Sequence, residues 1–340
     1  AVVFLLYSGR TITRAADWKD QFTLFGKDVK KSDKSAHMRL YWGLALRDKG
    51  DEYERANIKE QNWVKRLEND QQYFDWTWKA IKQFKKGIEI YPQYADCYEQ
   101  LGLLYDKIGV KINDMSYRDT AEYYYLECLR NIPSKATANS NLAKIYYERN
   151  EIQKAKQFYL AAVYFDPLLT DAYFNLGSTY GTLAMYDSSF YYFKKALQLD
   201  PNRTDAVTFM GLNYYNTGKP DSAILYYDKA IQMDPYAPTG YILKTKVLLL
   251  SDRWDEGEQV IDKAQSIFPY NGELYYYKGL VEKHRQDYKA ALECMNNCIK
   301  YQQNFLEGYR EKGDLFQRLG QRDSALYYYN FVSQIDAMMR

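Results

Sequence analysis

The chain has 340 residues, 46% hydrophobic, 26% charged and 17% aromatic, which excludes the disordered, collagen-like and disulfide-scaffold classes. Its 46 Lys plus Arg against 44 Asp plus Glu leave +2, too balanced for the electrostatic attraction on which nucleic-acid binding mainly depends, so no nucleic-acid partner is expected. Two histidines and four cysteines leave few side chains for metal ligation or imidazole catalysis, and neither a metal nor a cofactor is expected.

In chain order, residues 1–35 come first. They open on Ala1-Val2-Val3-Phe4-Leu5-Leu6-Tyr7, an apolar run too short to span a bilayer, which takes ~20 residues. No basic region precedes it, as one would in a signal peptide. The run reads as the end of a membrane helix. Residues 1–50 carry ten Lys plus Arg against five Asp, a basic collar suited to a phospholipid surface, so a membrane is expected next to residues 1–35. By the positive-inside tendency the collar would put the rest of the chain on the cytoplasmic face. Trp18, Phe22 and Phe25 also fit a helix capping the next segment.

The remainder of the chain is periodic. Pro133, Pro167, Pro201, Pro235 and Pro269 are spaced by 34 residues each. The same pattern precedes each: Leu176-Gly177, Tyr180, Ser189, Phe193, Ala196, Pro201 recurs as Met210-Gly211, Tyr214, Ala223, Tyr227, Ala230, Pro235. Apolar positions three and four apart in two blocks predict two amphipathic helices per repeat, with Gly218 marking a tight turn between them. The small residues are predicted packing positions, where antiparallel helices approach closely, and the proline ends the second helix.

A 34-residue helix-turn-helix with these small, aromatic and proline positions resembles the tetratricopeptide repeat (TPR). Eight repeats are legible: 36–94 with an insertion at about 51–79, 95–135 with a short insertion, then 136–169, 170–203, 204–237, 238–271, 272–305 and 306–339. The resemblance implies an all-α fold, an α-solenoid wound as a right-handed superhelix. The repeat 238–271 departs from the pattern with Lys244-Thr245 in place of an aliphatic residue and a glycine, predicting looser packing there. The insertion, charged and aromatic with no glycine or proline after Gly50, predicts an extra or lengthened helix packed on its neighbour, with a dedicated docking element as the alternative.

A second resemblance covers about 25 residues. Arg14-Ala15-Ala16-Asp17-Trp18-Lys19-Asp20, then Leu24-Phe25 and repeats, is similar to the junction between the last membrane helix and the C-terminal TPRs of membrane O-mannosyltransferase-like glycosyltransferases. That family would put the repeats on the periplasmic or luminal side, against the collar's charge. Its catalytic acid lies in the membrane domain, so it implies no catalytic residue here.

Chemistry elsewhere is sparse. Cys294, Cys298 and His284 have zinc-ligand spacing, but Cys298 stands where other repeats have alanine, predicting a buried thiol. Cys97 and Cys128 fall at the same end of one helix pair, where a disulfide forms in an oxidising compartment and two core thiols otherwise. Neither a phosphate loop nor a Ser/His/Asp set is present. Asn202-Arg203-Thr204 matches an N-glycosylation sequon and more readily supplies an N-cap. Asp119-Thr120-Ala121, Asp221-Ser222-Ala223 and Asp323-Ser324-Ala325 resemble a bacterial O-glycosylation motif but are expected to begin second helices, where Asp and Ser are favoured.

Stacked repeats present their first helices along an extended concave face. By the family's geometry its lining would be Asn141, Lys144 and Tyr147; Phe174, Asn175 and Ser178; Thr208, Phe209, Leu212 and Tyr215; Ile242, Leu243 and Lys246; Tyr276, Tyr277 and Leu280. About half of the aromatics are expected to be buried. Such a face suits a peptide or partner protein held by apolar pockets and amide hydrogen bonds. The expected function is a non-catalytic interaction scaffold, the TPR portion of a membrane-anchored protein. The alternatives are the acceptor-recruiting domain of a multi-spanning membrane glycosyltransferase and a subunit of an envelope or secretion complex.

Overall fold

A computed structural model describes residues 20–338. Those residues form 17 helices and no strand, an all-α fold of TPR type in which successive helices pack in pairs within each half. They divide into two compact halves between Thr179 and Tyr180. The first half holds α1 (Gln21–Lys31), α2 (Ala36–Lys59), α3 (Trp63–Ile90), α4 (Ala95–Ile112), α5 (Met115–Asn131), α6 (Ala136–Glu148), α7 (Ile152–Phe165) and most of α8 (Thr170–Thr182). The second holds α9 (Tyr186–Leu199), α10 (Thr204–Asn216), α11 (Pro220–Met233), α12 (Pro238–Leu250), α13 (Trp254–Ile267), α14 (Gly272–His284), α15 (Tyr288–Tyr301), α16 (Leu306–Arg318) and α17 (Arg322–Met338).

Local chemistry explains where the helices start and stop. The Asp20 carboxylate accepts from the Thr23 N–H at 2.7 Å and opens α1. Phe22 then meets Trp42 at 4.9 Å and Trp76 at 5.5 Å between centroids, and Phe25 stacks on Tyr41, so α1 covers the first hairpin. Trp18 and the apolar run Ala1 to Tyr7 lie outside the described residues. Both helices of the first pair are lengthened, α2 to 24 residues and α3 to 28, and the chain turns between them at residues 60–62, where the Asn62 side chain caps α3.

At the end of three successive second helices the aspartate before the proline folds back: Asp166, Asp200 and Asp234 accept from the N–H of Leu168, Asn202 and Tyr236 at 2.9, 3.1 and 3.0 Å. This corrects the reading of Asn202 as a cap. The next helix has Arg203 at its N-cap with no side-chain bond, because Asp200 already organises the turn. Asp119 likewise does not begin a helix; α5 starts earlier, at Met115, where Asp114 accepts from Ser116. Asp221 and Asp323 do lie in the first turns of α11 and α17.

Between the helices of a repeat the chain turns through one residue of positive φ: Asn150, Ala184, Gly218, Asp252, Gln286 and Gly320, again 34 apart. Only glycine takes that conformation without steric cost, which for other residues is ~1–2 kcal/mol.

The helices of a pair touch through one small-large contact. A β-carbon on Gly211 would lie 2.7 Å from the Tyr227 ring, and one on Gly102 or Gly313 equally close to Tyr125 or Tyr329. In the repeat 238–271 the equivalents are Thr245 and Ile261, both fully buried. The larger residue on one helix is matched by a smaller one on the other. Beside them Lys244 pairs with Asp228 at 2.6 Å and lines a cavity of about 230 Å³ with Tyr241, Glu256 and Lys263, so space does open where the pattern departs.

Candidate interaction face

In the second half the first helices are neighbours: α12 touches both α10 and α14, while each second helix packs against the next first helix. Side chains at matching positions of α10, α12 and α14 therefore share one face. Leu212, Tyr215, Leu243, Tyr276 and Leu280 are half-buried there, and Phe209 and Lys246 are exposed. Three of the expected lining residues are not available to a ligand. Thr208 is buried and its hydroxyl bonds the Thr204 carbonyl at 2.9 Å. Ile242 and Tyr277 belong to the core built on Ile231, Tyr241, Ile261 and Val281. They point between α12, α14 and the second helices because successive residues on a helix are 100° apart, and the positions beside a lining residue turn inward.

In the first half Asn141, Tyr147, Phe174, Asn175 and Ser178 are half-buried and Lys144 is exposed. Lys144 is engaged within the chain, its ammonium 3.7 Å from Asp106 and 3.9 Å from Glu148. Arg118 pairs with the same two carboxylates, tying α4, α5 and α6 together. Of the aromatic residues expected on the face, only Tyr277 is buried, fewer than the expected half. The others lie along the helix surface, with one edge covered by a neighbour and the other open.

Two residues that the repeat pattern did not single out join the face in the second half. Glu273, in the first turn of α14, is held above the usual carboxylate range by burial, opposed by Lys246 and reinforced by Glu307. Glu307 occupies the same position in α16. A sequence signal existed: acids recur at the second residue of first helices in Asp171, Asp205, Glu273 and Glu307. Each reads as a favourable helix N-terminus, which hid any other role.

The remaining reactive side chains are absorbed by packing. Cys97 and Cys128 are free and buried, not bonded. The Cys97 sulfur lies against the preceding helix at Gly87. Cys298 is buried against Gly308, and Cys294 is half-buried. His37 hydrogen-bonds the Tyr94 hydroxyl at 2.8 Å, and His284 stacks on Trp254 with centroids 4.0 Å apart. Among the described residues no three His, Cys, Asp or Glu side chains are arranged to hold a metal ion.

Helix pairs, turns and the small-large contact thus repeat every 34 residues. The model of the tetratricopeptide repeat matches residues 136–167, 170–203 and 204–236. Over that stretch the chain carries tetratricopeptide repeats. A tetratricopeptide repeat protein from Parabacteroides merdae superposes with a TM-score of 0.56 at 15% identity, over 82% of this chain and 99% of that one. The Pseudomonas aeruginosa pilF structure gives 0.51 at 21%, over 65% and 97%. At these identities the likeness speaks for the TPR fold alone. No curated protein matches the chain.

Of the glycosyltransferase-like run, only Asp20 and the subsequent Leu24 and Phe25 are described, and their roles are those of the α1 cap and its packing. No helix among the described residues is long and apolar enough to cross a membrane.

Proposed function

We propose that the chain is a non-catalytic interaction scaffold whose TPR first-helix face holds an extended peptide of a partner protein. One observation carries this: in the second half, half-exposed apolar and aromatic side chains recur on adjacent first helices, with a cation and two carboxylates among them. TPR arrays are in general binding rather than catalytic structures, and their first helices line the inner wall. Apolar side chains of the peptide would seat against Leu212, Tyr215, Leu243 and Tyr276. A basic side chain would face Glu273 and Glu307, where bringing a cation close restores the charged form of a carboxylate that burial disfavours.

The reading of this scaffold as part of a membrane-anchored protein rests on the apolar run Ala1 to Tyr7, outside the described residues, and on the basic collar. The glycosyltransferase reading rests on the short Arg14 to Asp20 run alone. A peptide display library panned against the whole chain tests the main proposal. Enriched peptides are expected to bind the Phe209→Ala, Lys246→Glu double variant at least about tenfold more weakly, an effect of the size seen for anchor residues of a groove. A library that enriches nothing, or peptides that bind both proteins equally, would refute it.

A further inference from the structure

The long hairpin of α2 and α3 projects beyond the helix stacked on it. Ion pairs with α4 reach as far as Glu54 on one arm, 3.5 Å from Lys107, and Asp70 on the other, 2.9 Å from Lys111. From there the hairpin continues for about five to seven residues on each arm, ~8–10 Å at the helical rise. This extension is built to hold its form. Asn57 bonds Asp70 at 2.9 Å and the Arg66 carbonyl at 3.1 Å, and Asn69 bonds back to Asn57 at 2.8 Å. The Asn62 side chain caps α3 by accepting from Val64 at 2.9 Å.

What the tip displays is out of keeping with a solvated helix end. Ile58 is 79% exposed, Trp63 71%, Leu67 59% and Val64 43%, four large apolar side chains within ten residues. Residues 55–67 also carry Arg55, Lys59, Lys65 and Arg66, all exposed, against the single carboxylate Glu60. None of the four cations forms an ion pair with another described residue, whereas lower on the hairpin Arg47, Lys49, Asp48 and Asp51 do. The exposed apolar surface is unfavourable in water, while the flanking cations are hydrated there and free to engage anions; both are satisfied together at one kind of boundary. There the acyl region accepts Trp, Ile and Leu while anionic headgroups accept Lys and Arg.

We propose that the tip of the α2–α3 hairpin, residues 55–67, docks on an anionic lipid surface. Trp63, Leu67 and Ile58 enter the headgroup boundary, and Arg55, Lys59, Lys65 and Arg66 contact lipid phosphates. The inference is independent of the peptide face, which lies on other helices and is read by a different assay.

Its test is co-sedimentation of the whole chain with vesicles of phosphatidylcholine alone, or with phosphatidylglycerol as about a third of the lipid. Wild type is expected to bind the anionic vesicles and not the neutral ones, and to be released by salt. Two variants, Trp63→Ser with Leu67→Ser and Lys59→Glu with Lys65→Glu, are each expected to lower the partition coefficient about tenfold or more. Both are expected to keep the wild-type melting temperature, since all four side chains are exposed. Absence of binding would overturn the proposal. So would binding unchanged in both variants, which would assign it to another segment. Self-association that is lost in Trp63→Ser with Leu67→Ser, without vesicle binding, would assign the tip to a second copy and overturn the lipid surface.

Discussion

Gly211 on α10 lies against the ring of Tyr227 on α11, so close that a β-carbon would stand 2.7 Å from its Cε1 and 3.0 Å from its Cδ1. The contact sets how near the two helices of that repeat approach. Gly211→Ala forces the ring or the helix to shift, and overpacking of this kind costs about 1–3 kcal/mol. The repeat 238–271 shows the compensation, with Thr245 opposite the smaller Ile261. Gly211→Ala with Tyr227→Ile is therefore expected to recover part of the loss. Urea melts of the two single variants and the double variant would measure the coupling; strict additivity would show that the two residues do not share a contact.

Ala184 carries a positive φ of 56° at the turn where Gly218 and Gly320 stand in other repeats. The β-carbon is a steric liability there, and Ala184→Gly removes it at the expense of a more flexible unfolded chain. The expected net gain is about 0.5–1 kcal/mol. Gly218→Ala, the reverse change, is expected to lose a similar amount, read in the same denaturation experiment.

Glu258 is held down to about 2 by hydrogen bonds from Arg285 and then Lys278, well below its ordinary value of 4.5. A carboxyl whose pKa falls on folding stabilises the native state above its unfolded pKa and loses that contribution as pH falls through the folded one. Glu258→Gln is expected to be less stable than wild type by about 1–2 kcal/mol at neutral pH, after allowance for solvent screening at a surface-adjacent site. The gap should close between about pH 5 and pH 2. Thermal melts of both proteins across that range test it, and a gap independent of pH would contradict the ion-pair account.

Burial pushes the Cys97 and Cys128 thiols up to about 12, so neither is thiolate at neutral pH. Both should resist a thiol-specific reagent in the native protein and react on unfolding. A reductant should leave the melting temperature unchanged. A drop in that temperature would reveal a bond between them.

The repeats themselves could be read directly from the residues. A proline cannot continue a helix, a glycine admits a ring across from it, and both constraints act within one 34-residue repeat, so their spacing reports the helix pairs. The turn glycine at 218 was equally legible, although Ala184 and Gln286 hide the same conformation behind ordinary side chains.

Exposure was another matter. Ile242 and Leu243 are adjacent on one helix and similar in chemistry, yet the first is core and the second half-open, because Ile231, Ile261 and Tyr277 close over only one of them. Lys144 has only Glu148 within reach in its own repeat, and it is bound as well by Asp106 from the previous one. The sequence by itself determined that the chain folds into paired helices, because those rules are local. Which side chains face a partner was decided only by the tertiary structure, since burial and charge pairing depend on what distant stretches of chain bring alongside.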